Sequence, residues 1–271
     1  TGGTVITIGS KEFTEQWVLG ELYAQVLRAH GFQVQLKNNI GSSNIIDRAL
    51  TSGRIDLYPE YTGVILQVLA HRTTLPSTAE ATYREASRFQ QKRGLEMLRP
   101  TPFQNRDAVA VTRSFAREHD LHSVGDLRKL GDIKYAEYPD NIESSTGFTG
   151  LVKAYGLHDM QVKSLNIGLQ YKALASGEVQ AADVFTTDPQ LARSDLVLLK
   201  EPKNIFGFQN VAPVVSAKTL RRLPPEFAGT LNRIDALLTV KAVQVMNRAV
   251  AVNRLAPAQV AAKFAKANHL V

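Results

Sequence analysis

The feature that most constrains this chain is an alternation of short apolar strands with longer helical patterns, running almost from end to end. Residues 4–9 form a β-branched run of strand length, and 13–30 place Phe13, Trp17, Gly20, Ala24 and Leu27 on one helical stripe. Gly31 stops that helix, and residues 32–37 alternate as a second strand. Residues 45–51 read as a short helix ended near Gly53, and 55–58 as the next strand. Ser77 and Glu80 have the spacing of a capping box, which predicts a helix running to about Arg93. Strands follow at 108–112, 133–136, 182–185 and 196–199, with helices near 150–155 and 170–176. From Pro224 onward the chain turns helical, and Pro257 suits the first turn of the last helix. Alternating elements predict an α/β fold with helices on the faces of a sheet.

An internal echo adds organisation. Arg48-Ala49-Leu50-Thr51-Ser52-Gly53-Arg54-Ile55-Asp56 resembles Lys172-Ala173-Leu174-Ala175-Ser176-Gly177-Glu178-Val179-Gln180, each a helix end, a glycine and the start of a strand. Each strand ends in an aromatic followed closely by hydroxyls, at Tyr58–Thr62 and at Phe185–Thr187. Helix–glycine–strand joints are common in any α/β protein, so the echo alone admits that plainer reading. Two similar lobes would offer aromatics from strand ends to a cleft between them. The 271 residues fit this, since about 150 residues per domain suggests about two lobes.

Composition excludes several classes. No apolar run approaches the roughly 18 residues of a membrane span. Cysteine is absent, which removes disulfides, thiolate nucleophiles and cysteine metal sites. The glycine-rich phosphate loops and the nucleophile elbow are missing from the sequence. Among six histidines only His119 and His122 lie close together, a spacing more typical of a solvated helix end than of a metal site. A Ser-His-Asp triad assembled across the fold leaves no trace in sequence, so it stays open with nothing in its favour. The expectation is a protein without enzymatic activity, cofactor or metal. The net charge of +7 raises the question of nucleic acid, but the bases are interspersed with acids. The densest short cluster, Lys218, Arg221 and Arg222, lacks stacking aromatics, so no nucleic-acid partner is expected.

Four segments carry a resemblance over essentially the whole chain: Gly9-Ser10-Lys11-Glu12-Phe13-Thr14-Glu15-Gln16, Ile55-Asp56-Leu57-Tyr58-Pro59-Glu60-Tyr61-Thr62-Gly63, Gly168-Leu169-Gln170-Tyr171-Lys172-Ala173-Leu174 and Asp183-Val184-Phe185-Thr186-Thr187-Asp188. In order and spacing they resemble the substrate-binding proteins of osmoprotectant ABC importers, which bind glycine betaine, choline or carnitine. The resemblance implies a two-lobe periplasmic-binding-protein fold of type II. Each lobe would be a mixed sheet flanked by helices, joined by two crossover hinge segments. Lobe I would take residues 1–106 and 212–271, and lobe II residues 107–211. It also implies a monomer that delivers a quaternary-amine ligand to a membrane permease, with an aromatic box holding the trimethylammonium head in the cleft. The start of the chain suits a cytoplasmic protein or a processed secreted one. With the resemblance, the expectation is a periplasmic mature form, its signal peptide removed.

Carried over by position, Tyr61, Tyr171 and Phe185 match box aromatics, with Phe185 standing where a tyrosine is usual. Lys11 matches a cleft position able to meet a ligand's anionic end, and Asn105 a polar position at the start of the crossover strand. Two departures shift the expected ligand. Asp107 stands where another aromatic is frequent, and Ser144 falls nearest a missing arginine that would clamp a betaine carboxylate. A negative cleft favours choline, a larger amine or ergothioneine over a simple betaine, and its local field must outweigh the global +7. An anionic ligand would reverse that reading. The alternative is a diverged binding module with a sensor role or a non-osmoprotectant ligand.

Overall fold

The computed structural model describes residues 3–192 and 195–271, which divide into two compact units. One runs up to Asn105 and resumes at Phe208, and the other is Arg106–Gly207. The sequence placed the return at about 212. The difference arises because residues 208–210 already bond within the first unit, with Thr62 N–H donating to Asn210 O and Gln209 N–H to the Gln104 side chain.

The first unit holds β1 (Val5–Lys11), β2 (Gln33–Gly41), β3 (Leu57–Tyr61) and β4 (Leu95–Met97). The second holds β5 (Asp107–Thr112), β6 (Lys134–Glu137), β7 (Gln161–Ser164), β8 (Ala181–Phe185) and β9 (Leu196–Leu199), and β10 (Val211–Ser216) returns to the first. The sheet orders are β2-β1-β3-β10-β4 and β7-β6-β8-β5-β9. In each, three parallel strands are followed by one antiparallel strand, β10 or β5, and an edge strand that runs with the first three again, so the sheets match strand for strand. The echo acquires a structural meaning here. Gly53 and Gly177 both sit at positive φ (79 and 76), and Ile55 and Val179 both return an N–H to a helix carbonyl, at Ala49 and Ala173. The next strand is then β3 in one unit and β8 in the other, each central in its sheet.

β10 eludes the alternation pattern because Pro213 interrupts Val-Ala-Pro-Val-Val, and proline is normally an edge residue. Here it faces Pro59 of β3 across the antiparallel ladder. Two residues that lack an N–H are tolerated opposite each other at a position where neither need donate to its partner strand.

The helix Thr14–Ala29 is buried more widely than one stripe predicts. Gly20 lies against Leu36 and Asn38 of β2, where a Cβ would meet Asn38 Oδ1 at 2.5 Å. Val18, Leu22, Tyr23 and Val26 join a second packing surface with Phe227, Leu231, Ile234, Val260 and Ala265 of the helices after Pro224. The Tyr23 hydroxyl donates to buried Asp235 at 2.8 Å, which fixes this contact by a hydrogen bond as well as by apolar burial. The cap of the helix Ala79–Gln91 is Thr78, whose side chain accepts from Ala81 N–H, and not Ser77. Residues 236–271 carry five Lys or Arg and no acid, so most of the +7 belongs to the C-terminal helices.

Candidate functional site

Parallel strands in an α/β sheet present their carboxyl ends to ligands. In the first unit those ends are Lys11 of β1 and Tyr61 of β3. The Lys11 ammonium lies 2.6 Å from Glu60 Oε1 and donates to Ser43 Oγ at 3.1 Å, with both ionic side chains buried. It also stands 4.5 Å from the Tyr61 ring centroid and 5.6 Å from that of Phe13. Glu60 accepts further bonds from the Tyr58 hydroxyl and the Tyr61 N–H, both at 2.9 Å. The resemblance gives Lys11 as a cleft position able to meet a ligand's anionic end; within the first unit its charge is matched by Glu60.

Tyr61 is held as firmly. Its hydroxyl donates to Glu15, whose two oxygens also accept from Asn105 Nδ2 at 3.1 Å and Asn247 Nδ2 at 3.2 Å. Burial first, and then the Glu15 carboxylate, push the Tyr61 phenol well above its usual range. Tyr61 is only 3% exposed and has the Lys11 ammonium over its ring. The accessible ring is Phe13, 36% exposed and stacked on Tyr61 with centroids 6.1 Å apart. Sequence analysis assigned Phe13 to a helix stripe. Its place two residues beyond Lys11, just before the helix begins, was the available signal. Asn105 is half-buried beside Glu15, with its Oδ1 enclosed and lacking a donor.

The second unit carries a different set. β8 ends at Phe185, whose ring lies 6.0 Å from that of Tyr138, just past the end of β6. Asp107 opens β5 directly opposite Phe185 in register. Tyr171, near the start of the helix Gln170–Ser176, donates its hydroxyl to Asp188, which also accepts the Phe185 N–H at 3.2 Å. Tyr171 therefore positions the Phe185 loop through Asp188. Ser144 shares a 2.9 Å bond with Thr146 Oγ1 and accepts the Thr146 N–H, which shapes the turn before the helix Phe148–Tyr155.

Two acids that sequence analysis passed over complete this set. Glu137 and Asp183 are buried at 2% and 3% exposure, on the same sheet face as Asp107. Burial raises all three carboxyls above the ordinary range, and with Asp107 adding repulsion Glu137 is pushed up to about 7. Period-two alternation was the signal, since Tyr135 with Glu137, and Ala181 with Asp183 and Phe185, share a face.

The Ser144 turn depends on Gly150, where a Cβ would lie 1.8 Å from the Ser145 carbonyl oxygen. Gly150→Ala is expected to lower stability by about 1–3 kcal/mol through forced backbone displacement, measured by urea denaturation. A change within about 0.3 kcal/mol would show that the turn relaxes without cost. No group of three or more His, Asp or Glu side chains is placed to hold a metal ion among the described residues. None of the described helices is long and apolar enough to cross a membrane.

Comparison with known proteins agrees with this architecture. A family model described as the substrate binding domain of ABC-type glycine betaine transport system matches residues 4–267. The chain is 34% identical to a glycine-betaine-binding protein of Pseudomonas aeruginosa, over 98% of this chain and 88% of that protein. It is 28% identical to an ergothioneine transport permease/ergothioneine binding protein of Helicobacter pylori, over 96% of this chain and 47% of that longer protein. Apo YehZ from Escherichia coli superposes with a TM-score of 0.85 at 28% identity, covering 99% of this chain and 100% of the other. The two mixed five-stranded sheets flanked by helices are those of the type II periplasmic binding proteins. These relatives lend no support to the sensor alternative.

Proposed function

The chain belongs to the family of substrate-binding domains of ABC-type glycine betaine transport systems, and from that membership we propose that it captures a small quaternary-ammonium solute for an ABC importer. It acts outside the cytoplasm, in the periplasm as a processed monomer, and delivers the solute to its permease. The family binds and carries solutes and catalyses no reaction. We propose Lys11, Tyr61, Asn105 and Phe13 of the first unit as ligand residues, and likewise Asp107, Ser144, Tyr171 and Phe185 of the second.

One observation favours a cation without a free carboxylate: the Tyr138–Phe185 ring pair stands beside the carboxyls of Asp107, Glu137 and Asp183. A quaternary ammonium has no N–H to donate, so ring faces and unpaired carboxylate charge are its natural partners. An anionic end would need a free cation, and the Lys11 ammonium is already paired with Glu60. Choline, which has no carboxylate, fits this arrangement better than glycine betaine. Each ring is worth about 0.5–2 kcal/mol to the ligand, against the roughly 8 kcal/mol of a micromolar site.

Calorimetric titration with choline, ergothioneine and glycine betaine tests the reading. Choline is expected to bind about tenfold or more tightly than glycine betaine, a difference of about 1.4 kcal/mol. Glycine betaine as the tightest ligand would overturn the preference, and no binding of any quaternary amine would overturn the function. Phe185→Ala is expected to weaken the preferred ligand by about 2- to 30-fold.

A further inference from the structure

We infer that Asp107, Glu137 and Asp183 share a proton in the ligand-free chain and release it to solvent when a cation binds against Asp107, so that solute capture is coupled to deprotonation. The inference rests on the proposed reading of Asp107 as a ligand contact. Its structural basis lies within one unit. β6, β8 and β5 are neighbours, and their pairing brings Glu137, Asp183 and Asp107 to one face of the sheet. In register Asp183 lies opposite Val109, two residues along β5 from Asp107, and one step beyond the Ala136–Ala182 pair, the level of Glu137. An ionised carboxylate is acceptor-only, so carboxylates gathered on one buried face offer each other no donor unless one of them carries a proton.

The surroundings leave the cluster short of compensation. Asp107 Oδ1, Glu137 Oε2 and Asp183 Oδ1 are enclosed, with no N–H or hydroxyl of the protein reaching them. An independent group points the same way. The Tyr135 hydroxyl is fully buried on this face, unpartnered, and within the field of all three carboxyls. Facing groups that titrate or carry charge are Arg106 beside Asp107, Tyr138 and Asp140 after β6, Asp188 after β8, and Tyr171. Among the described residues, Arg106 is the positive charge that acts on Asp107, and burial lowers its own pKa despite Glu201 and Asp107. On this face the flanking strands offer Val162 and Ser164 from β7 and Val197 and Leu199 from β9, none of them charged. Burial raises the carboxyl pKa values, bringing Glu137 to about 7, so protonation here falls in the physiological range.

Carboxylates gathered on one buried face repel unless a proton or another cation lies by them. A permanent cation in front of Asp107, the partly exposed member, substitutes for that proton electrostatically. The charge balance is one cation in and one proton out to solvent. Linkage then requires affinity to rise with pH, up to about tenfold per pH unit for one proton released.

Calorimetric titration of the full chain with choline near pH 7, in phosphate and in Tris, measures the released proton directly. The two buffers differ in ionisation enthalpy, so a release of about half to one proton per choline appears as a difference in apparent heat, and affinity rises about three- to tenfold from pH 6.5 to 7.5. Asp183→Asn and Glu137→Gln, each checked for folding by circular dichroism, are expected to cut the proton count while choline still binds. Choline binding with equal heats in both buffers, and affinity independent of pH, overturns the inference and leaves the proposed function standing. Failure to bind choline, ergothioneine or glycine betaine overturns both.

Discussion

Lys11→Met is expected to destabilise the protein by about 3–5 kcal/mol, while Lys11→Met combined with Glu60→Gln recovers most of that loss. The asymmetry follows from burial. Lys11 and Glu60 are 5% and 0% exposed, with 2.6 Å between ammonium and carboxylate. Removing the lysine leaves Glu60 with two hydrogen bonds, from the Tyr58 hydroxyl and the Tyr61 N–H, but no counter-charge. A buried carboxylate in that position either stays ionised at high cost or takes up a proton. Changing Glu60 to glutamine as well removes the orphaned charge and leaves an amide oxygen able to accept the Tyr61 N–H. Urea denaturation of the single and double variants measures the coupling. A loss below about 1 kcal/mol for Lys11→Met would show that the pair is as weak as a surface ion pair.

The same pair bears on ligand recognition. With an ammonium 4.5 Å from its ring centroid, Tyr61 already has an internal cation on one face. Family resemblance placed both residues at the ligand, and the structure brings them together, but first as partners of each other. Phe13, stacked on Tyr61 and more exposed, is the more accessible of the two rings.

The alternation of strands and helices was legible because burial of one face leaves a period in the sequence. The repeated Gly53 and Gly177 joints were legible for the same reason, since a left-handed turn after a helix selects glycine. β10 was not, because its Pro213 is acceptable only opposite Pro59, a relation between residues far apart in sequence. Lys11, Tyr61 and Phe185 could be picked out by resemblance, whereas the groups that set their charge state could not. Glu15, Glu60, Glu137 and Asp183 are acids, and acids normally read as surface residues. Their burial depends on tertiary partners: Asn105 and Asn247 for Glu15, Lys11 and Tyr58 for Glu60, and one another for the second unit's set. Global charge misdirects here too. The five bases and no acids of residues 236–271 lie in C-terminal helices of the first unit, while the local field in the second is set by clustered carboxyls.

Glu137→Gln is expected to stabilise the protein at alkaline pH and to leave it unchanged near pH 4. In the folded chain, burial and the nearby Asp107 push Glu137 from an ordinary 4.5 up to about 7. Below about pH 4 the carboxyl is protonated in both folded and unfolded chains, and it contributes no difference. Between the two values the folded state binds more protons than the unfolded one, so stability falls as pH rises. Above about 7 the whole penalty is present, at most about 3 kcal/mol for a shift of this size. Glutamine keeps an oxygen for the Tyr138 N–H, which Glu137 Oε1 accepts at 3.1 Å, and carries no charge to desolvate. Chemical denaturation at pH 4, 6 and 8 should therefore show parent and variant converging in acid and separating in base, with the variant the more stable. A variant equally or less stable at pH 8 would mean that the ionised carboxylate is well accommodated. A penalty maintained at neutral pH is a cost that a purely structural residue would have no reason to carry. Under the proposed coupling a bound cation would offset that cost, linking the pH dependence of folding to that of capture.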